Sequence, residues 1–304
     1  MKKHLKTVLV FFILTATVGA FWHYLAGHPE TVDQLRKLPP SIVLVLLVLY
    51  GGWFLAYVLV TRGTLRLFKK TMSRQENLLF NAYSSLINFF GPGQSGPAFR
   101  GAYLKKRHNL SIKKYLFGTL LYYGFYAALS AFFMLAGSRP WWQTALAVAA
   151  VAIASAVAIR KYKKRAHIGN EASLTLVNVG WIFAATVLQL TLQAAIYAIE
   201  LHSVNAQASL GQILSYTGVA NFALFVALTP GAIGIREAFL VFSQNLHHIS
   251  NSSIVVANLI DRAVYLLFLG ILFMLVITLH AKDKLHVNQL NSQKGSTKQK
   301  HTEL

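Results

Sequence analysis

Asp261 and Arg262 sit side by side in an apolar run, Ile254 to Leu279, that holds no other charge. Arg236 and Glu237 form a second such pair just after Pro230, Gly231 and Gly234, and Arg100 follows a similar cluster of Pro92, Gly93 and Gly96. Guanidinium groups in apolar surroundings suit an anion, phosphate above all, whereas carboxylates there either carry protons or neutralise the cations. Arg236 falls in the first turn after a helix break, where the helix dipole disfavours a cation. An anion held by Arg236 and the free N–H groups of the Gly-rich turn accounts for that placement. A charge-balanced network of Arg236, Glu237, Asp261 and Arg262 that fixes packing accounts for it equally well, and the two readings are compatible.

Polar side chains recur at helical spacing beside both breaks: Asn77, Asn81, Ser84, Ser85 and Asn88 before the first, Thr186, Gln189, Gln193, Tyr197 and Glu200 ahead of the second. Such stripes commonly supply hydrogen bonds between helices. Two of them next to breaks also suit a wet cavity, with Asn81, Asn88, Gln189 and Gln193 in its wall and Glu237 and Asp261 as proton carriers. The histidines have no metal-ligand spacing, and no Ser/His/Asp set, HExxH or Walker loop occurs. Cysteine is absent, so thiol chemistry and disulfides are closed. No catalytic residue, metal or cofactor is expected.

The elements that position these residues follow from composition. Of 304 residues 55% are hydrophobic and only 12% charged, far from the roughly one quarter charged of a soluble domain. Crossing the hydrocarbon core takes about 20 apolar residues. Six runs approach that length: Val8 to Leu25, Ser41 to Val60, Tyr115 to Gly137, Trp141 to Ile159, Asn178 to Ile199 and Ile254 to Leu279. The first is read as an uncleaved span rather than a signal peptide, because apolar character continues past Ala20 through Leu25. In the last, Arg262 lies roughly 12 Å below the Ile254 end, too deep for a loop.

The net charge of +20 reports topology and anionic lipid rather than nucleic acid. Basic residues crowd before Val8, from Arg62 to Arg74, from Arg100 to Lys114, from Arg160 to Arg165 and after Lys282. Placing all of these in the cytosol leaves only Arg36, Lys37 and Arg139 in loops opposite. Residues 78–99 and 213–246 must then enter the membrane and return on the side they came from. The expected fold is an all-α polytopic membrane protein with about six transmembrane helices plus two re-entrant helical hairpins arranged as an inverted repeat. Its first repeat is 1–137, its second 138–280, and 281–304 is a basic disordered cytosolic tail. The expected location is the cell (inner or plasma) membrane with both termini cytoplasmic. Inverted repeats with helices broken at matching positions are the architecture of secondary transporters, which bind substrate where the breaks meet.

The stretches NFFGPGQSGPAFR (Asn88 to Arg100) and TPGAIGIREA (Thr229 to Ala238), with Asp261 and Arg262 in the last span, resemble the membrane region of lysylphosphatidylglycerol synthases and related stand-alone flippase-like proteins. The resemblance implies movement of a phospholipid between leaflets. It also implies a separate soluble domain for aminoacyl transfer, and the short segment after Leu279 leaves no room for one, so enzyme activity is not expected. The favoured reading is a flippase-like transporter of a phospholipid or related anionic lipid, with Arg236 and also Arg262 or Arg100 holding the phosphate and membrane phospholipids as partners. Two other readings stand beside it: a non-transporting membrane subunit that recruits or regulates a separate lipid-modifying enzyme, and a membrane-embedded lipid or glycan transferase using Glu237 or Asp261 as base.

Overall fold

The computed structural model describes residues 38–91, 95–168, 172–204, 207–226 and 235–300, with side chains as far as Leu279. Ten helices occur among them: α1 (Pro40–Arg66), α2 (Arg74–Phe90), α3 (Ser95–His108), α4 (Ile112–Ala136), α5 (Trp141–Arg165), α6 (Leu176–Ser203), α7 (Leu210–Val226), α8 (Ile235–Phe242), α9 (Gln244–His247) and α10 (Asn251–Lys300). Helices α1, α4, α5 and α6, with the Asn251–Leu279 part of α10, are each long and apolar enough to cross a membrane. They contain five of the six expected spans. The sixth, Val8 to Leu25, lies outside the described residues.

Local sequence sets the helix ends. Ser73, Ser111 and Thr175 cap α2, α4 and α6, each accepting a hydrogen bond from the backbone N–H three residues on. Prolines 39, 40 and 140 start α1 and α5, where a missing N–H costs nothing. Composition over 281–304 favours a disordered tail, yet α10 continues as helix to Lys300. An established helix propagates cheaply through Ala, Leu, Lys and Gln, all good helix formers.

Helices α1 and α6 form an antiparallel central pair. Gly52 faces Leu192, Gly63 faces Ile182 and Trp181, and Trp181 Nε1 donates to the Leu59 carbonyl at 3.1 Å. Around this pair the packing is matched between halves. The hairpin α2–α3 lies against α10, and α7, with α8 folded on it, lies against α4; α4 touches α6 as α10 touches α1. Two apolar cores result. One joins the Leu46–Phe54 part of α1 to the Ile196–Leu201 end of α6, with α7, α8 and α10. The other joins the Val60–Leu65 end of α1 to the Ile182–Leu190 part of α6, with α3 and α4. Apolar side chains such as Leu44, Val48, Leu146, Ile153, Ile271 and Phe273 are exposed on the outside, the surface a lipid-facing bundle presents.

The first break is described on both flanks. Helix α2 ends at Phe90, capped by Gly91, and α3 begins at Ser95, whose Oγ donates to the Ile87 carbonyl at 2.7 Å. Gly96 lets the two legs touch: a Cβ there would sit 2.7 Å from Asn88 Cβ and 2.8 Å from the Ser84 carbonyl oxygen. Pro92, Gly93, Pro230, Gly231 and Gly234 lie outside the described residues.

Candidate functional site

Between the two cores is a cavity of about 310 Å³. One end is charged. Arg236, in the first turn of α8, and Asp261 and Arg262, more than a third of the way along the membrane part of α10, are all buried and all line it. Arg236 Nη2 donates to Asp261 Oδ2 at 2.5 Å and Nη1 to the Tyr197 hydroxyl at 3.2 Å. The other Asp261 oxygen accepts from the Tyr50 hydroxyl. Arg262 Nη2 donates to Glu237 Oε1 at 3.2 Å, and that same carboxylate oxygen lies 4.0 Å from Arg236 Nε. The charge-balanced network therefore exists, and it clamps α8 to α10. Among the described residues, Arg236 Nε is buried without a hydrogen-bond partner. An orphan guanidinium N–H in a polar cavity costs free energy until an acceptor arrives.

The opposite wall is polar and uncharged. Asn88, Ser84 and Ser85 come from α2, and Gln189 and Gln193 from α6. Gln189 Oε1 is already engaged by the Tyr122 hydroxyl at 3.0 Å. Of the expected site residues, the structure thus brings Arg236, Asp261, Arg262, Asn88, Gln189 and Gln193 to one cavity, with Glu237 behind Arg262.

Arg100 and Asn81 are placed elsewhere. Arg100 lines an adjoining recess of about 30 Å³, its Nε donating to Ser84 Oγ and its Nη2 to Asn81 Oδ1, each at 2.7 Å. Its guanidinium lies over the Tyr57 ring, 3.9 Å from the centroid. Asn81 also accepts from Thr61 and donates back to Asn77. Arg100 is thereby spent on binding α3 to α2 and α1, and only Tyr57, Pro97, Tyr122 and Tyr123 are shared between the recess and the main cavity.

Two features escape a reading of charges alone. The first is an aromatic wall: Tyr50, Trp53 and Tyr57 from α1, Tyr122, Tyr123 and Tyr126 from α4, Tyr197 from α6, Phe225 from α7 and Tyr265 from α10. Interfacial tyrosines belong near span ends, so tyrosines in mid-span were the available signal. The second is Glu200, the last residue of the α6 stripe. It is 1% exposed, and among the described residues its Oε1 has no hydrogen-bond partner. Among the described residues no group of three or more His, Cys, Asp or Glu is placed to hold a metal ion.

Fold and site define a multi-pass helical membrane protein with a charged, aromatic-walled cavity at the meeting of its two halves. Its residues 7–272 match the family described as the lysylphosphatidylglycerol synthase TM region, and the chain belongs to that family. Membership puts it among membrane proteins of lipid metabolism or transport. Comparison with curated proteins and with solved structures finds no match.

Proposed function

We propose that this protein is a flippase-like transporter that moves an anionic phospholipid between leaflets, with the lipid phosphate bound at Arg236 and Arg262. The observation that carries this reading is the unpartnered Arg236 Nε, buried in the wall of the cavity. An unsatisfied guanidinium N–H there favours a guest that brings a strong acceptor, a phosphate oxygen above all. At about 310 Å³ the cavity is at the lower end of the roughly 300–1,000 Å³ range of ligand sites. A headgroup fits it, and acyl chains stay in the bilayer. The hydroxyls and amides of Ser84, Ser85, Asn88, Gln189 and Gln193 suit the polar remainder of a headgroup.

The matched packing of the two halves supports the inverted-repeat reading, with α2–α3 and α7–α8 as re-entrant hairpins that rock against the α1–α6 pair. The basic loops face the cytosol of the cell membrane, where anionic lipid is concentrated. In proteoliposomes, fluorescent phosphatidylglycerol should change leaflet in the presence of the protein. Arg236→Ala should slow that transfer about tenfold or more, as expected for loss of a charged hydrogen bond of about 1.5–3 kcal/mol. A folded Arg236→Ala variant that transfers at the wild-type rate overturns the assignment.

A further inference from the structure

The cavity wall is buried at its charges and exposed at an apolar edge. Arg236, Asp261 and Arg262 are buried, whereas three described residues of the same lining are exposed: the polar Asn88 and the apolar Leu224 and Phe225. Leu224 and Phe225, in the last turn of α7, are 40% and 39% exposed. The Phe225 ring stands edge-on to those of Tyr123 and Tyr126 of α4, with centroids 5.7 and 5.8 Å away, a favoured arrangement for aromatic pairs. Tyr126 is held in turn by its hydrogen bond to Asn221 of α7. The apolar edge is therefore a fixed part of the wall, pinned between α4 and α7.

The depth of that edge follows from α4. Tyr123 and Tyr126 flank the middle of Ile112–Ala136, a helix long and apolar enough to cross a membrane. The middle of a crossing helix lies in hydrocarbon, away from water. An opening at this depth meets acyl chains and not solvent. Exposure alone does not single out Leu224 and Phe225, since Leu146 and Ile153 of α5 are more exposed and simply face lipid. What sets the α7 pair apart is that it also lines the cavity that holds the arginines. A guest that touches both Arg236 and this edge carries an anionic group and an apolar chain together.

We infer that Leu224 and Phe225 form the lip of a side portal at mid-membrane depth, over which the acyl chains of a bound lipid pass from the cavity into the bilayer. The inference rests on the reading of Arg236 as the phosphate site and deepens it, because it assigns the bound phosphate to a lipid rather than to a soluble phosphate ester. A soluble ester satisfies the guanidinium equally well but has nothing to lay on the lip. For a lipid, the portal lets the headgroup stay among polar groups while the chains remain in hydrocarbon, so neither half is moved into the wrong medium.

The test places the full chain in phosphatidylcholine vesicles with a trace of phosphatidylglycerol that carries a photoreactive diazirine on an acyl carbon close to the ester. After illumination, peptides containing Leu224, Phe225 and Tyr123 should be labelled several-fold more than those containing Leu146 and Ile153. Labelling no greater at the lip than on α5 overturns the portal. Soluble glycerol phosphate in excess should leave the lip label unchanged; its loss would overturn the assignment to a lipid. Leu224→Trp, which fills the portal, should slow leaflet transfer of fluorescent phosphatidylglycerol by about tenfold or more, the scale of overpacking a fitted gap. Leu146→Trp, on the outer face of α5, should transfer at the wild-type rate. A Leu224→Trp variant with a wild-type unfolding midpoint and wild-type transfer overturns the portal. Lip labelling that persists undiminished in Arg236→Ala overturns the phosphate site and leaves the portal standing, and lip labelling without leaflet transfer in wild type overturns transport alone.

Discussion

At the scale of single residues, the charged end of the cavity is held by pairs that differ in burial. Arg236 and Asp261 side chains are 7% and 6% exposed, whereas Glu237, which serves Arg262, is 27% exposed. Removing one partner of a desolvated pair leaves an uncompensated buried charge and costs about 3–5 kcal/mol, while a pair reached by water is worth far less. Asp261→Asn should therefore lower the thermal unfolding midpoint in detergent by much more than Glu237→Gln does. Equal losses would show that the Arg236–Asp261 pair is not desolvated. Arg100, by contrast, has its guanidinium bonded to Ser84 and Asn81 and stacked on Tyr57, so Arg100→Ala acts first on the packing of the α2–α3 hairpin.

At the scale of elements, small residues decide how closely helices approach, because no hydrophobic drive separates helix from lipid. Gly218 of α7 sits against α4, where an added Cβ would strike the Met134 backbone and the Ser130 carbonyl. Backbone cannot yield as a flexible side chain can. Gly218→Leu should force α7 away from α4, lowering stability by about 1–3 kcal/mol and disturbing the Tyr126–Asn221 hydrogen bond of 2.8 Å between the same helices. Gly51, which has open space around it, is the control: Gly51→Ala should leave the unfolding midpoint unchanged or raise it, because Ala is the better helix former. Equal effects at the two glycines would refute the close-approach argument. The helix breaks were legible in sequence from Pro92, Gly93 and Gly96, yet the service of Gly96 to interleg contact with Asn88 and Ser84 depends on which face of α3 meets α2.

At the scale of the whole molecule, the orientation proposed from the basic residues is easy to measure, because cysteine is naturally absent. A single cysteine introduced at Gln75, beside the basic loop between α1 and α2, should react with an impermeant thiol reagent only from the cytosolic face. One at Ser138, between α4 and α5, should react only from the opposite face. Labelling of both from the same side would break the inverted arrangement, since α4 would then not cross.

The sequence by itself determined a bundle of long apolar helices, its family and the four charges within it, because membrane insertion depends on local composition. Mid-span tyrosines and Glu200 were visible too, but their meaning was not. Tyr50, Tyr122 and Tyr197 come from three different helices, and only packing turns them toward a common cavity. The same holds for Arg100, whose type and spacing resemble those of Arg236. Its diversion to Asn81, Ser84 and Tyr57, and the isolation of Arg236 Nε and Glu200 Oε1, were decided by tertiary contacts, because a hydrogen bond satisfied or left open is a property of neighbours far away in the chain.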